Sequence, residues 1–262
     1  MSTPGGASLS FTQWLRWIGG HLPTAPQALA SLLSLVVIAL FLHTFVLQPY
    51  LIPSESMERT LLVGDFLLVN KQVYAPADSL TRNLLPYRSV ERGDMIIFHP
   101  PDNPQKFYVK RVVGMPGDRL HIAEGRVMVN GVFLGEPYAV FEPAPRNPYS
   151  ENFPARNYTD PTVEAKWWRQ MQGLISDGDL IIPQGNYFVL GDNRNHSFDS
   201  RFWGFVSQQQ IVAKPLVIYF SLTRPSTTDV QLAKDDRLGH DRELTARLAG
   251  FARWKRIFHV VH

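Results

Sequence analysis

The sequence contains no cysteine, little excess of one charge and no internal repeat. Without cysteine there is no thiol catalysis, no cysteine-ligated zinc and no disulfide. Lysine and arginine number 26 against 23 aspartates and glutamates, and a net charge of +3 is too small for a nucleic-acid-binding surface. The 262 residues are 45% hydrophobic, which suits one large or two small globular domains and excludes a disordered or collagen-like chain.

Charge is missing altogether from one long segment near the N-terminus. The 38 residues between Arg16 and Glu55 carry no formal charge. Their centre, residues 28–47, would span about 30 Å as a helix, which is the thickness of the hydrocarbon core of a bilayer. The exit of this run offers no small-x-small cleavage site, so we expect a retained anchor over 28–47 and a cytoplasmic segment over 1–27. The flanking charges are almost symmetrical and orient the anchor only weakly.

Beyond the anchor, the pattern predicts a mainly β domain over 48–222. Short β-branched and aromatic runs lie between Gly, Pro and Asp, at 65–74, 94–99, 106–114 and 186–192. An Asn-Gly pair at the centre of 126–135 predicts a two-residue hairpin turn.

Two further segments differ from this strand pattern. Five prolines within 141–161 predict an irregular insertion over 141–175, in which 164–175 forms a short helix. The basic tail occupies 223–262 and has helical character from Leu232 to the end. It either lies against anionic lipid or forms a solvated helix, and the sequence does not separate these alternatives.

Serine and lysine are the residues that could perform nucleophilic chemistry. Ser54 and Ser56 lie just beyond the anchor, and a serine hydroxyl needs a base to remove its proton. None of the eight histidines has a setting that pairs it with a serine and a carboxylate. Lys110 stands inside the apolar run FYVKRVVG, where it is either buried, and so able to lose its charge, or extended into solvent at a sheet edge.

Three longer motifs resemble the conserved boxes of the bacterial type I signal peptidases. In this chain they read SESMERTLLVGD (54–65), YVKRVVGMPGD (108–118) and GDNRNHSFDSRFWGFV (191–206), in that order after the anchor. RGDMIIF (92–98) is similar to a further box, and RWKRI (253–257) is similar to the end of the family's chains. On these motifs the chain is identified as a member of that family.

The resemblance implies a serine endopeptidase that cuts signal peptides from exported pre-proteins after small-x-small sites, without a metal or another cofactor. Ser56 would be the nucleophile and Lys110 the general base, and the Ser54 hydroxyl would join the Ser56 amide in the oxyanion hole. Ser197 would orient Lys110, and the residues supporting that corner would be Asp199 and Arg201. Shallow pockets for small side chains would be lined by Ile52, Met57, Leu61, Tyr108 and Val109. Since a nearby carboxylate would raise the pKa of Lys110, we expect Asp199 to pair with an arginine instead.

The same resemblance implies a location and a fold. The fold would be one N-terminal transmembrane helix followed by an antiparallel, coiled β-sheet catalytic domain. The protein would cross the bacterial inner membrane once, with the catalytic domain on the extracytoplasmic side. Its partners would be signal-peptide-bearing pre-proteins and the lipid bilayer, but not nucleic acid, and the oligomeric state stays open.

The chain departs from the family pattern at three places. Glu55 stands where the family usually has glycine, Arg59 where it usually has proline, and Asn195-His196 where it usually has an acidic residue and asparagine. Glu55 must face solvent, or it would stabilise a nearby lysine cation. One alternative is a self-cleaving Ser-Lys repressor, against which the anchor and the lack of a helix-turn-helix motif argue. Another is a non-catalytic, membrane-anchored binding module, which Glu55 and Arg59 keep open.

Overall fold

The computed structural model describes residues 25–41, 47–71, 73–74, 88–157, 159–223 and 251–261. Its contacts divide the chain into one unit up to residue 45 and a second unit from residue 46. The first unit contains helix α1 (Ala25–Phe41), whose 17 residues carry no charged side chain.

The predicted anchor over 28–47 coincides only in part with this helix. Helix α1 ends at Phe41, residues 42–46 lie outside the described ones, and Leu47 already begins a strand. Within the ranges that the structure describes, no helix combines the length and the apolar character needed to cross a membrane. Residues 1–24 of the predicted cytoplasmic segment also lie outside the described part.

The second unit is mainly β, as predicted. In chain order its strands are β1 (Leu47–Leu51), β2 (Asp65–Asn70), β3 (Met95–Phe98), β4 (Tyr108–Gly114), β5 (Arg119–Ala123), β6 (Arg126–Val129), β7 (Val132–Phe133), β8 (Ile175–Ser176), β9 (Asp179–Ile181), β10 (Asn186–Leu190), β11 (Val206–Ser207), β12 (Ile211–Ser221) and β13 (His259–Val260). The larger sheet has the order β1-β2-β12-β3-β4-β10-β11, with β13 also paired to β12, and the smaller sheet has the order β7-β6-β5-β9-β8. All of these pairs are antiparallel.

The strand runs read from the sequence are confirmed with shorter bounds, and so is the hairpin. β6 and β7 pair across Asn130 and Gly131, which have φ angles of 52° and 80°. Positive φ at both central residues defines the hairpin turn that an Asn-Gly pair favours. The long strand β12 was not predicted, since Pro215 interrupts its apolar run, and the register with β2 shifts between Pro215 and Val217.

The insertion over 141–175 contains two short helices, α2 (Pro148–Glu151) and α3 (Ala165–Gln172). The Asn147 side chain caps α2 by accepting from the amides of Tyr149 and Ser150. In α3 the buried Trp167 donates its indole N–H to the carbonyl of Arg201 at 3.0 Å. A further short helix, α4 (Ser200–Trp203), lies within the third sequence motif.

The predicted helical character of the tail is wrong over residues 252–261, although Phe251 is helical. This segment forms a 3₁₀ turn at Trp254–Arg256 and then strand β13, which pairs with Val217 and Ile218 of β12. The backbone groups of the segment are thus satisfied by the sheet rather than by a helix. Residues 224–250 of the tail lie outside the described ones.

Two clusters of buried apolar side chains form the core of the second unit. The larger one lies between the two sheets and the insertion, and includes Phe98, Tyr149, Phe153 and Phe188. The smaller one lies under the β1–β2 connection, and its members are Ile52, Met57, Leu61, Leu67, Val69, Met95, Ile97, Ala213, Ile218 and Val261. The turn that carries the predicted catalytic serine therefore packs on the smaller cluster.

Candidate active site

Strands β1 and β2 frame the turn that carries Ser56. Ile52 donates its amide to the carbonyl of Asp65 at 2.9 Å, which closes the connection between the strands. Within the connection, Glu55–Met57 form a 3₁₀ turn, and the Met57 side chain is only 2% exposed in the smaller core cluster. The apolar side chain of Met57 thus anchors the turn from below, while the buried Ser56 hydroxyl lies toward Lys110.

Lys110 lies in the middle of β4, which is paired with β3 on one side and with β10 on the other. Its side chain is 4% exposed, so the sheet-edge alternative is wrong. The Nζ atom is 2.5 Å from the Ser56 Oγ, and the Ser54 Oγ is 3.4 Å from the same oxygen. In the described part of the chain, no carboxylate lies within ion-pair distance of Lys110.

The surroundings of Lys110 favour the neutral amine. Burial lowers the pKa of Lys110 to about 8, because the ammonium loses its hydration inside the protein. The charges of Asp199 and Asp192 act to raise this pKa, and that of Arg201 acts to lower it further. A base with a pKa near 8 is partly deprotonated close to neutral pH, as general base catalysis requires.

Asp199 pairs with Arg201, as we expected from the need to keep a carboxylate away from the lysine. The guanidinium donates from Nε and Nη2 to the two carboxylate oxygens, each at 2.8 Å, and both residues are buried. Asp199 also caps α4 and accepts from the Gly191 amide at 3.1 Å. Burial acts to raise the pKa of Asp199, but the Arg201 charge and its hydrogen bonds outweigh it and lower that pKa.

Ser197 does not form the expected hydrogen bond with Lys110. Its hydroxyl is buried and makes no hydrogen bond of regular geometry among the described residues, but it lies close enough to Asp199 to help lower the pKa of that carboxyl. The hydroxyl lies against the backbone of Gly191, where an added Cβ would come within 2.3 Å of the Ser197 Oγ and 2.4 Å of the Ser56 carbonyl oxygen. Only glycine permits so close an approach between the third motif and the Ser56 turn.

A second buried ion pair, which the sequence reasoning missed, lies beside Ser56 and Lys110. Arg111 donates from Nε and Nη2 to the Asp192 carboxylate at 2.8 and 2.7 Å. Thr60 donates its hydroxyl to the same carboxylate at 2.6 Å. The backbone N–H of Asn193 donates to the Ser56 carbonyl at 3.1 Å. The signal in the sequence is that Lys110 and Arg111 are consecutive cations in an apolar strand, so each needs its own explanation.

A cleft of about 580 Å³ opens beside Ser56 and Lys110. Four of the five predicted pocket residues line it, namely Ile52, Met57, Tyr108 and Val109. Leu61 is not among the residues that line this cleft, and its side chain is fully buried in the smaller core cluster. Lining residues that were not predicted are Tyr50, Leu51, Pro53, Lys106, Phe107, His196 and Phe198. Alternation along β1 could have indicated Tyr50, which shares a face with Ile52.

None of the three departures from the family pattern places a side chain in an ion pair with Lys110 or in a hydrogen bond with Ser56. Glu55 is exposed, as expected, and Lys110 forms no ion pair with it. Arg59 has a φ of 75°, a left-handed conformation that proline cannot adopt, so the usual proline would not fit this turn. His196 lines the cleft without a hydrogen bond to Ser56.

Comparison with known proteins decides the family. A family model described as signal peptidase, peptidase S26, matches residues 26–220. The chain belongs to this family. It is similar to the signal peptidase I of Pseudomonas aeruginosa, with 33% identity over 212 residues that cover 76% of this chain and 74% of that protein. The signal peptidase I of Aquifex aeolicus is 33% identical over 234 residues, covering 77% of this chain and 87% of that protein.

A solved signal peptidase I from Enterococcus faecalis is 31% identical and covers 48% of this chain and 97% of its own, with a TM-score of 0.37. Membership in the family makes the chain a serine endopeptidase, a hydrolase of peptide bonds. Among the described residues, no group of three or more histidine, aspartate or glutamate side chains could hold a metal ion.

Proposed function

We propose that the protein is a membrane-anchored signal peptidase that cleaves signal peptides from exported pre-proteins by a Ser-Lys mechanism. The observation that carries the proposal is the 2.5 Å approach of the Lys110 Nζ to the Ser56 Oγ, at a buried site without a carboxylate partner for the lysine. A lysine in an ordinary structural role would be charged and paired, and could not accept a proton.

In the proposed reaction the neutral amine of Lys110 takes the proton of Ser56 while the Ser56 Oγ attacks the scissile carbonyl carbon. The Ser56 amide and the Ser54 hydroxyl donate to the oxyanion of the tetrahedral intermediate. The Lys110 ammonium then gives its proton to the leaving amine, which departs as the new N-terminus of the mature protein. Lys110 next deprotonates a water molecule, and this water hydrolyses the ester between Ser56 and the signal peptide.

The cleft supports a preference for small side chains. The side chains of Ile52, Met57, Tyr108 and Val109 line the cleft together with Ser56 and offer apolar contact. Small residues one and three positions before the cut would fit there, while large ones would collide with a core that is already filled. We therefore assign small-x-small sites to the enzyme.

The substrate's own signal helix makes membrane anchoring part of the proposal. The 38 uncharged residues before Glu55 and the exposed apolar side chains of α1 support an anchor over 28–47. The catalytic domain would then face the extracytoplasmic side of a bacterial inner membrane. Confining enzyme and pre-protein to one bilayer raises their effective concentration without any new contact.

Cleavage of a secretory precursor by the purified full chain in detergent tests this proposal. We expect the wild type to release the mature protein, and S56A and K110A to be inactive. S54A should lose about 10²–10³ in kcat, the usual effect of one oxyanion donor. Lys106 lines the same cleft and provides a matched control, so K106A should keep most of the activity.

Two results would overturn the proposal. A wild type that is inert on several precursors would exclude the substrate class. Cleavage by K110A at the wild-type rate would exclude the Ser-Lys mechanism while leaving the substrate class in place.

A further inference from the structure

The segment 251–261 returns to the Ser56 turn from the far end of the chain. Its strand β13 pairs with β12, and Val261 is buried in the same core cluster as Met57 and Leu61. The backbone carbonyl of Ser221 accepts from the Arg253 amide at 2.9 Å, which fixes the segment beside the start of β2. The segment therefore touches the core directly beneath the turn.

Two arginine side chains of this segment contact the β1–β2 connection: Arg253 donates to the Val63 carbonyl, and Arg256 makes the larger set of hydrogen bonds. The Arg256 Nη2 donates to the Thr60 carbonyl at 2.9 Å and to the Asp65 carboxylate at 2.6 Å, and its Nε reaches the other carboxylate oxygen at 3.2 Å. Asp65 is fully buried, and it also accepts from the Ser221 hydroxyl and the Leu62 amide. One guanidinium thus joins both ends of the segment 60–65 in a fixed planar geometry.

Thr60 connects the hydrogen bonds of Arg256 to the turn that carries Ser56. Its amide donates to the Met57 carbonyl at 3.1 Å, so it closes the turn that carries Ser56. Its hydroxyl donates to Asp192, which pairs with Arg111, the neighbour of Lys110. Thr60 is therefore held from one side by the C-terminal segment and from the other by the strand that carries the base.

We propose that Arg256 is a positioning residue for Ser56, acting through Thr60 and Asp65. The proposal rests on the nucleophilic role proposed for Ser56. Lys110 can take the proton only at hydrogen-bond distance, and a displacement of about 1 Å in such a geometry costs on the order of a hundredfold in rate. Arg256 touches neither the cleft nor Lys110, so it sets the position of the nucleophile without changing the base or the binding of substrate.

Kinetics of R256A on a precursor in detergent, well below its unfolding temperature, test the inference. We expect kcat to fall about tenfold or more, with KM within about twofold of the wild type. The midpoint of the pH profile should stay near 8, because the burial of Lys110 is unchanged. Lys255 is exposed beside Arg256, and K255A should behave as the wild type.

Two further variants separate positioning from folding. R256K keeps a positive charge against Asp65 but has no planar pair of donors, so we expect it to fold and still to lose kcat. R256G should regain kcat when ethylguanidinium is added, which a globally unstable protein would not do. Unchanged kcat in R256K, a rise in KM alone, or a lack of rescue in a folded R256G would overturn the inference. An inert wild type, or an active S56A, would instead overturn the proposed function itself.

Discussion

Lys110 and Arg111 are neighbours on one strand, and both are cations that are only 4% exposed. Arg111 has a bidentate carboxylate partner in Asp192, and its guanidinium lies 4.1 Å from the ring of Tyr138. Lys110 has the neutral hydroxyl of Ser56 and no carboxylate. Because successive side chains of a strand point to opposite faces, the two cations meet different surroundings although they are adjacent in the chain.

The difference separates the structural role of Arg111 from the catalytic role that we propose for Lys110. The burial of Arg111 is compensated by an opposite charge with ideal geometry, so the pair holds the third motif against β4. The burial of Lys110 is not compensated, and its pKa falls to about 8. The protein thus supplies carboxylates to the arginines around the site and withholds one from the lysine that we propose as the base.

The largest effect is expected when the compensated cation loses its partner. D192N would leave the buried Arg111 charge without a counter-charge, and should lower the free energy of unfolding by about 3–5 kcal/mol. Urea denaturation of the detergent-solubilised protein measures this loss. D177N, which removes an exposed partner of Arg119, should cost less than about 1 kcal/mol. Similar losses for D192N and D177N would mean that burial does not distinguish these pairs.

Removing the charge of Lys110, which has no carboxylate partner, should raise the free energy of unfolding instead of lowering it. At about 1.4 kcal/mol per pH unit, a fall from 10.5 to about 8 costs about 3 kcal/mol below pH 8, where Lys110 is charged in both states. K110M removes this cost and a hydrogen bond worth about 1 kcal/mol. We expect it to be inactive, and more stable than the wild type by about 2 kcal/mol at pH 7.

The gain of K110M should fade as the pH rises. The unfolded wild type still binds the lysine proton between pH 8 and 10.5 and the folded one does not, so wild-type stability rises through this window. Urea denaturation at both ends of the window measures the change. A K110M variant that is less stable than the wild type at pH 7 would contradict the assignment of a buried, uncompensated charge.

The smallest effect is a displacement of the pH profile when Lys110 is given a carboxylate. Ser54 lies within about 6 Å of the Lys110 Nζ, by way of Ser56. In S54D the new charge should raise the pKa of Lys110, and the midpoint of kcat/KM against pH should move up by about one unit or more. S54N has the same shape without the charge and should keep its midpoint near 8. Equal midpoints in the two variants would contradict a role for Lys110 as the base.

Local patterns predicted those parts of the fold that are local in origin. The Asn130-Gly131 hairpin follows from two residues that accept positive φ, and β4 follows from a β-branched run. Strand β12 and the segment 251–261 could not be read in this way. Their conformation depends on pairing with distant strands, and Pro215 conceals the strand pattern of β12.

The motifs brought Ser56 and Lys110 forward as candidates, and the structure places their reactive atoms together. The remaining contacts of the site could not be predicted, because closeness in the sequence does not determine closeness in space. Leu61 follows Ser56 closely in sequence but points into the core, whereas Phe198 is far along the chain and lines the cleft. The pairing of Arg111 with Asp192 joins residues of two different motifs, and no spacing within either motif announces it.

The place of β12 in the larger sheet has a consequence for the synthesis of the enzyme. β12 lies between β2, which follows the Ser56 turn, and β3, which pairs with the strand of Lys110. A ribosome makes Ser56 and Lys110 before it makes β12, so strands β2 and β3 lack their shared neighbour until residues 211–221 have been added. The larger sheet can therefore join the two arms of the proposed site only late in synthesis, after β12 has left the ribosome.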